Sequence, residues 1–147
     1  MFLLDTSIYI EAFTDAAFGA AFRAFHQAAL PQLALSAVVA HEVLVGATTP
    51  AKLRSVERGL LEPFRARRRL HVPTAATWTL AATVDRDLRA MKRYAGSLVQ
   101  RSFANDLLLA ASARELGATL VTLNRADFEV IAQVLPVRVV GPWPELA

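Results

Sequence analysis

Phe2-Leu3-Leu4-Asp5-Thr6-Ser7 opens the chain with an unbroken apolar run that stops at a carboxylate. A strand wetted on one face alternates apolar and polar residues, whereas a strand covered on both faces does not alternate. The run therefore predicts a doubly covered strand with an acid at its carboxyl end. The pattern returns along the chain. Leu33-Ala34-Leu35-Ser36 is followed within a few residues by Glu42, and Thr119-Leu120-Val121-Thr122-Leu123 by Asp127. Asp106 opens the apolar stretch Leu107-Leu108-Leu109-Ala110-Ala111.

Strand-length runs alternate with segments of helical period, which predicts an α/β domain with a mainly parallel sheet. Strands are expected at Phe2–Asp5, Leu33–Ser36, Leu70–Val72, Thr119–Leu123 and Val137–Val140. Helices are expected at Ser7–Phe13, Ala17–Ala29, Val38–Val45, Ala51–Arg65, Ala75–Tyr94, Ser102–Leu116 and Phe128–Val134. Thr49-Pro50 supplies an N-cap and first-turn proline. Ser102 and Asp127 are further N-cap candidates, Gly46 and Gly117 are C-terminal stops, and Gly96 follows the long helix. The tail Gly141-Pro142-Trp143-Pro144 excludes regular structure.

At 147 residues the chain has the length of one domain, 1–147, able to bury a core without covalent staples. Its hydrophobic fraction of 54% excludes a disordered polymer. The absence of cysteine excludes disulfides, zinc–thiolate sites and thiol nucleophiles. No apolar run reaches the roughly 18 residues of a membrane helix, and no basic segment precedes the opening run as in a secretion signal, so a cytoplasmic protein is expected. The net charge of +3, from 14 arginines and two lysines against 13 acids, suits a polyanionic ligand and equally an ordinary soluble surface.

Ligands of parallel α/β sheets bind beyond the carboxyl ends of the strands. Asp5 and Asp127 lie past two such ends. Glu42 lies early in the helix after the second strand. Asp106 is expected in the first turn of the helix that runs back towards the fourth. All four can reach one rim. Singly, each has a structural use: Asp5 and Asp127 as caps, Asp106 as a first-turn acid, Glu42 on a wetted helix face. Converged, they repel, and a hard divalent cation such as Mg²⁺ or Mn²⁺ resolves that repulsion. Carboxylate-held ions of this kind hydrolyse phosphodiesters by clamping the attacking and leaving oxygens. Thr6, Ser7, Thr122 and Asn124 are placed to orient these acids or the substrate.

These segments resemble the motifs of PIN-domain ribonucleases and, among them, the VapC toxins of bacterial toxin–antitoxin pairs. The first is Phe2-Leu3-Leu4-Asp5-Thr6-Ser7. The second is Leu35-Ser36-Ala37-Val38-Val39-Ala40-His41-Glu42, and the third runs from Asn105 to Ala113. The last is Leu120-Val121-Thr122-Leu123-Asn124-Arg125-Ala126-Asp127-Phe128. The resemblance implies an α/β/α three-layer domain with strand order 3-2-1-4-5. It implies a Mg²⁺- or Mn²⁺-dependent endoribonuclease acting through Asp5, Glu42, Asp106 and Asp127. It also implies an RNA substrate, a VapB-like antitoxin as partner, and assembly as a homodimer and a toxin–antitoxin hetero-oligomer. Some relatives carry a further acid after the third-motif Asp. This chain has Leu, Leu, Leu, Ala, Ala there, so a second metal site would be thinly liganded.

Other features stand outside that constellation. Arg65-Ala66-Arg67-Arg68-Arg69 is the densest basic cluster, and its place before the third strand assigns it to the amino-terminal edge as solvated surface. Arg86, Arg89, Lys92, Arg93 and Arg101 are weighed evenly as RNA contacts. His26, His41 and His71 do not group at ligand spacing, and Ser7 and Ser36 have no His/Asp partner. Phe13, Phe18, Phe22 and Phe25 form an aromatic stripe expected in the core, with part of it open to a partner. The rival reading is a PIN-like module that binds RNA or protein without cutting.

Overall fold

A computed structural model describes residues 1–91 and 101–147. Lys92, Arg93 and Gly96, and the expected helix end at Tyr94, lie outside those residues. Strands β1 (Phe2–Leu4), β2 (Leu33–Ser36), β3 (Leu70–His71), β4 (Thr119–Val121) and β5 (Val139–Val140) form one parallel sheet of order β3-β2-β1-β4-β5. β1 is central, and Phe2, Leu3 and Leu4 are all buried, as its unbroken hydrophobicity requires. The edge strands β3 and β5 are two residues long and half-buried, so little unpaired backbone is presented to other chains.

The starts of the first three helices are set by side-chain oxygens. Asp5 caps α1 (Thr6–Thr14), Asp15 caps α2 (Ala16–Ala29), and Ser36 caps α3 (Ala37–Gly46). Thr49 and Pro50 start α4 (Pro50–Val56) as expected. The single helix read over Ala51–Arg65 is broken by a π turn at Glu57–Leu61 before α5 (Glu62–Ala66). The apolar period of 56, 60, 61 and 64 survives that insertion, so the sequence pattern conceals it. Helix α6 (Ala75–Ala90) begins with a reciprocal Thr74–Thr77 capping box. Helix α7 (Arg101–Leu116) ends at Gly117, whose φ of 61° suits glycine. Ala118 N–H bonds Ala113 O at 2.8 Å and Gly117 N–H bonds Arg114 O at 3.2 Å, a Schellman closure. Ser102 lies inside α7, not at its cap.

Helix α8 (Arg125–Ala132) starts three residues earlier than expected, because β4 ends at Val121, Thr122 keeps only its N–H bond to Val140 O at 3.1 Å, and the chain turns at Asn124. Asp127 is thus a first-turn residue and not the N-cap. The tail beyond β5 is irregular, and Trp143 closes the aromatic stripe. Its ring lies 4.9 Å from Phe18, 6.4 Å from Phe22 and 5.3 Å from Phe25. Phe13 stays outside that cluster and is exposed. Among the described residues no helix is long and apolar enough to cross a membrane.

Helices α1 and α2 approach most closely at Gly19. A Cβ built there would sit 2.6 Å from the carbonyl oxygen of Ala12, on backbone that cannot swing aside. Gly19→Ala should therefore destabilise the fold by about 1–3 kcal/mol, despite alanine's better helix propensity. Urea denaturation reads this, and an unchanged midpoint would show that the two helices can part without cost.

Candidate metal centre

The sheet register builds the site. Leu4 of β1 lies opposite Val121 of β4, so the next residues, Asp5 and Thr122, emerge side by side. The strand order reverses in this crevice, where α/β sheets place their ligands. Asp5 N–H still bonds Val121 O at 2.9 Å, and its carboxylate is only 5% exposed. Three donors offset that burial. Thr6 N–H reaches Oδ1 at 2.8 Å, while the Ser7 and Thr122 hydroxyls reach Oδ2 at 2.7 and 2.8 Å.

The same polar net spreads to the other acids. Leu123 N–H donates to Ser7 Oγ at 3.1 Å, and Asn124 N–H to Thr122 Oγ1 at 2.9 Å. Asn124 Nδ2 then holds Asp127 Oδ2 at 2.8 Å. On the opposite side the Thr6 hydroxyl donates to Glu42 Oε2, and Asn105 Nδ2 holds Glu42 Oε1 at 2.9 Å. Thr6, Ser7, Thr122 and Asn124 thus each touch an acid. Asn105 is the contact that sequence reasoning passed over. Its signal was only its place one residue before Asp106, on a helix otherwise rich in leucine and alanine.

Asp106 differs from the other three. It lies in the second turn of α7, not the first, and among the described residues no hydrogen bond reaches its carboxyl group. Burial, then the charges of Asp5, Asp127 and Glu42, push its pKa from an ordinary 3.8 up to about 8. All four acids therefore meet at one rim, and Asp106 keeps a proton at neutral pH. The donor set is oxygen throughout, which suits Mg²⁺ or Mn²⁺ and not zinc. Among the described residues no three acids or histidines stand close enough to hold one ion as they are. What suits the cation is the chemistry of the oxygen donors and the mutual repulsion of the acids, which adds to burial in raising the Asp106 pKa.

The histidines take no part: His26 packs between Phe22 and Phe64, His41 is exposed, and His71 lies 3.6 Å from Glu115. Arg86 and Arg89, weighed as RNA contacts, pair with Asp87 at 3.5 Å and Asp85 at 2.8 Å.

The Asp106 proton has a consequence for stability without divalent metal. Below about pH 4 the group is protonated in folded and unfolded chains alike. From there to about pH 8 the unfolded chain releases the proton and the folded chain keeps it, so this group's contribution falls as pH rises. Asp106→Asn removes that slope. In EDTA, the variant's Tm advantage over the parent chain should widen from about pH 4 to about pH 8 and then level off. A constant difference would mean that Asp106 ionises as an ordinary acid.

Comparison with known proteins places this geometry. The PIN domain family matches residues 2–134. No curated protein matches the chain. Among solved structures, FitAB bound to an IR36 DNA fragment is similar at a TM-score of 0.73 and 21% identity, covering 100% of this chain and 99% of that one. VapBC2 from Rickettsia felis, bound to a DNA fragment from its promoter, gives 0.62 and 21%, covering 97% and 98%. A toxin–antitoxin complex from Klebsiella pneumoniae gives 0.64 and 21%, covering 99% and 100%. With four acids gathered at the β1–β4 crevice of a sheet of order 3-2-1-4-5, and a family match over most of its length, the chain belongs to the PIN domain family.

Proposed function

We propose that this protein is a metal-dependent endoribonuclease and the toxin component of a VapBC-type toxin–antitoxin pair. The observation that carries the reading is the convergence of Asp5, Glu42, Asp106 and Asp127 at the β1–β4 crevice, where burial and then the other three charges raise the Asp106 pKa to about 8. Asp5, Glu42, Asp106 and Asp127 would hold Mg²⁺ or Mn²⁺. The bound cation would supply charge neutralisation and phosphate polarisation for cleavage of an RNA phosphodiester.

The chain's own groups divide the remaining work. Asp5 is fixed in one orientation by three donors, so it offers a rigid oxygen to the rim. Thr6 and Asn105 hold Glu42 from two sides and orient its oxygens. Asn124 restrains Asp127 more loosely, in an exposed turn. Asp106 would hold a cation only in its deprotonated form, so metal affinity is expected to rise with pH up to about 8.

A partner that silences the enzyme has a place to bind beside this rim. A groove of about 500 Å³ runs between α1, α3 and α4, lined by Ile10, Phe13, Val43, Gly46 and Val56, and ends at Glu42. Ile10 and Phe13 are 53% and 61% exposed, more apolar surface than an isolated chain gains from showing. An amphipathic antitoxin helix laid in that groove would cover both and reach the acids. The similar structure from Klebsiella pneumoniae is a toxin–antitoxin complex, which supports the same arrangement here.

Purified protein free of antitoxin, incubated with total RNA and Mg²⁺ or Mn²⁺, should make discrete cuts that EDTA abolishes. Asp5→Asn and Asp106→Asn should remove cleavage while the protein stays folded. Full activity in Asp106→Asn would sink the mechanism. A folded protein that binds metal but cuts nothing would favour the non-catalytic PIN-like module. Asn105→Ala should weaken metal binding by about 10–100-fold through loss of its hold on Glu42. Calorimetric titration with Mn²⁺ measures this, and unchanged affinity would make Asn105 a bystander.

A further inference from the structure

The chain's charge is distributed unevenly. Seven of its 16 basic residues and two of its 13 acids fall between Lys52 and Arg69, so that stretch carries a net +5 and the rest of the chain −2. The stretch is one continuous arm, α4, the π turn and α5. Val56, Leu60, Leu61 and Phe64 bury its inner face. Lys52, Arg54, Arg58, Arg65, Arg67 and Arg68 are exposed.

Among the described residues no carboxylate neutralises the arm's cations. Among the described residues, Lys52, Arg54, Arg58, Arg65 and Arg68 form no ion pair, whereas Arg86, Arg89 and Arg125 on α6 and α8 each have a carboxylate within 3.5 Å. Arg67 and Arg69 bond only to carbonyl oxygens, at Pro63 and at Pro31 and Leu33. Arg68 is held at φ 54°, a left-handed conformation that a glycine would adopt without strain. A side chain is thus kept where stability alone favours none.

The arm also has direction. Lys52 lines the same groove as Glu42, so its upper end opens onto the groove that reaches the acidic rim. Arg69 bonds Pro31 and Leu33 at the start of β2, so its lower end lies at the opposite edge of the sheet. Unpaired cations in a line that starts beside a phosphodiesterase-like site match a flexible polyanion better than a compact ligand.

We infer that the α4–α5 arm is a docking track for the phosphates of single-stranded RNA, leading the strand from the far edge of the sheet to the acidic rim. The inference rests on RNA being the substrate proposed above. It differs from the expectation that Arg65–Arg69 is merely solvated, because the cluster is the lower end of a longer unpaired track.

The test is binding, not cleavage, so it stands even if no cutting is seen. Labelled poly(U) RNA is titrated with the full chain in EDTA at about 50 to 200 mM salt. The triple variant Arg54→Gln/Arg58→Gln/Arg65→Gln should lower the salt slope by about 2 and weaken binding by about tenfold or more, as expected for three lost phosphate contacts. The control Arg86→Gln/Arg114→Gln/Arg138→Gln removes the same charge from exposed sites away from the arm and should change the slope little. Arg68→Gly guards against a folding artefact: it should raise Tm by relieving the backbone and still weaken RNA binding. Equal losses in variant and control would reduce the effect to net charge and overturn the inference, as would an unchanged triple variant. Polyglutamate bound as tightly as poly(U), and lost in the same triple variant, would assign the arm to an acidic protein instead.

Discussion

Asp5 accepts hydrogen bonds from Thr6 N–H, the Ser7 hydroxyl and the Thr122 hydroxyl, and each donor answers a different requirement of the fold. The first starts α1, the second ties the first helical turn to the strand end, and the third joins β1 to β4 across the switch in strand order. A buried carboxylate without such partners costs several kcal/mol. The sheet register, the helix start and the charge state of the rim are therefore coupled through one side chain. Moving Asp5 by one residue would break the cap and take from the Thr122 O–H its carboxylate acceptor at the same time.

Three of the four acids are satisfied by neighbours, and one is not. Glu42 and Asp127 take their donors from Thr6, Asn105 and Asn124, so their orientation is fixed before any cation is present. Asp106 receives only burial and repulsion, and it answers by keeping its proton. A well-packed protein with no duty at this rim would have a leucine or an asparagine there. Strain kept at one position while its surroundings are fully satisfied is the pattern expected of a site whose stability is set aside for binding.

Much of this was legible in the chain. Phe2-Leu3-Leu4 and Thr119-Leu120-Val121 read as doubly covered strands because nothing polar interrupts them, and the acids following them marked the rim. Other features depend on distances that no local pattern encodes. The π turn at Glu57–Leu61 adds its extra residue without disturbing the buried positions, so the helix looked continuous. Asp127 resembled an N-cap because acids favour that place. The early turn at Asn124 moved it inward and gave it Asn124 as a donor. Asn105 was invisible because its partner Glu42 lies 63 residues away. Trp143 sits in a tail rich in proline, and only the folded chain brings it onto Phe18 and Phe25.

The two charge distributions are best understood together. A rim of carboxylates repels the polyanion it is proposed to cleave, and a divalent cation cancels that repulsion only locally. At physiological salt the Debye length is about 8 Å, so charges further apart than this act almost independently. β2 alone spans about 13 Å at roughly 3.3 Å per residue, which separates Arg69 from the rim by more than one screening length. The arm's lower end, Arg65–Arg69, can therefore attract a strand without neutralising the acids, and a cation held by the acids would leave that cluster unweakened. Placing the basic residues among the acids would have paired the two sets and disabled both. Keeping the Arg65–Arg69 cluster at the far edge of a four-residue strand lets one small sheet carry a positive surface and a negative site together.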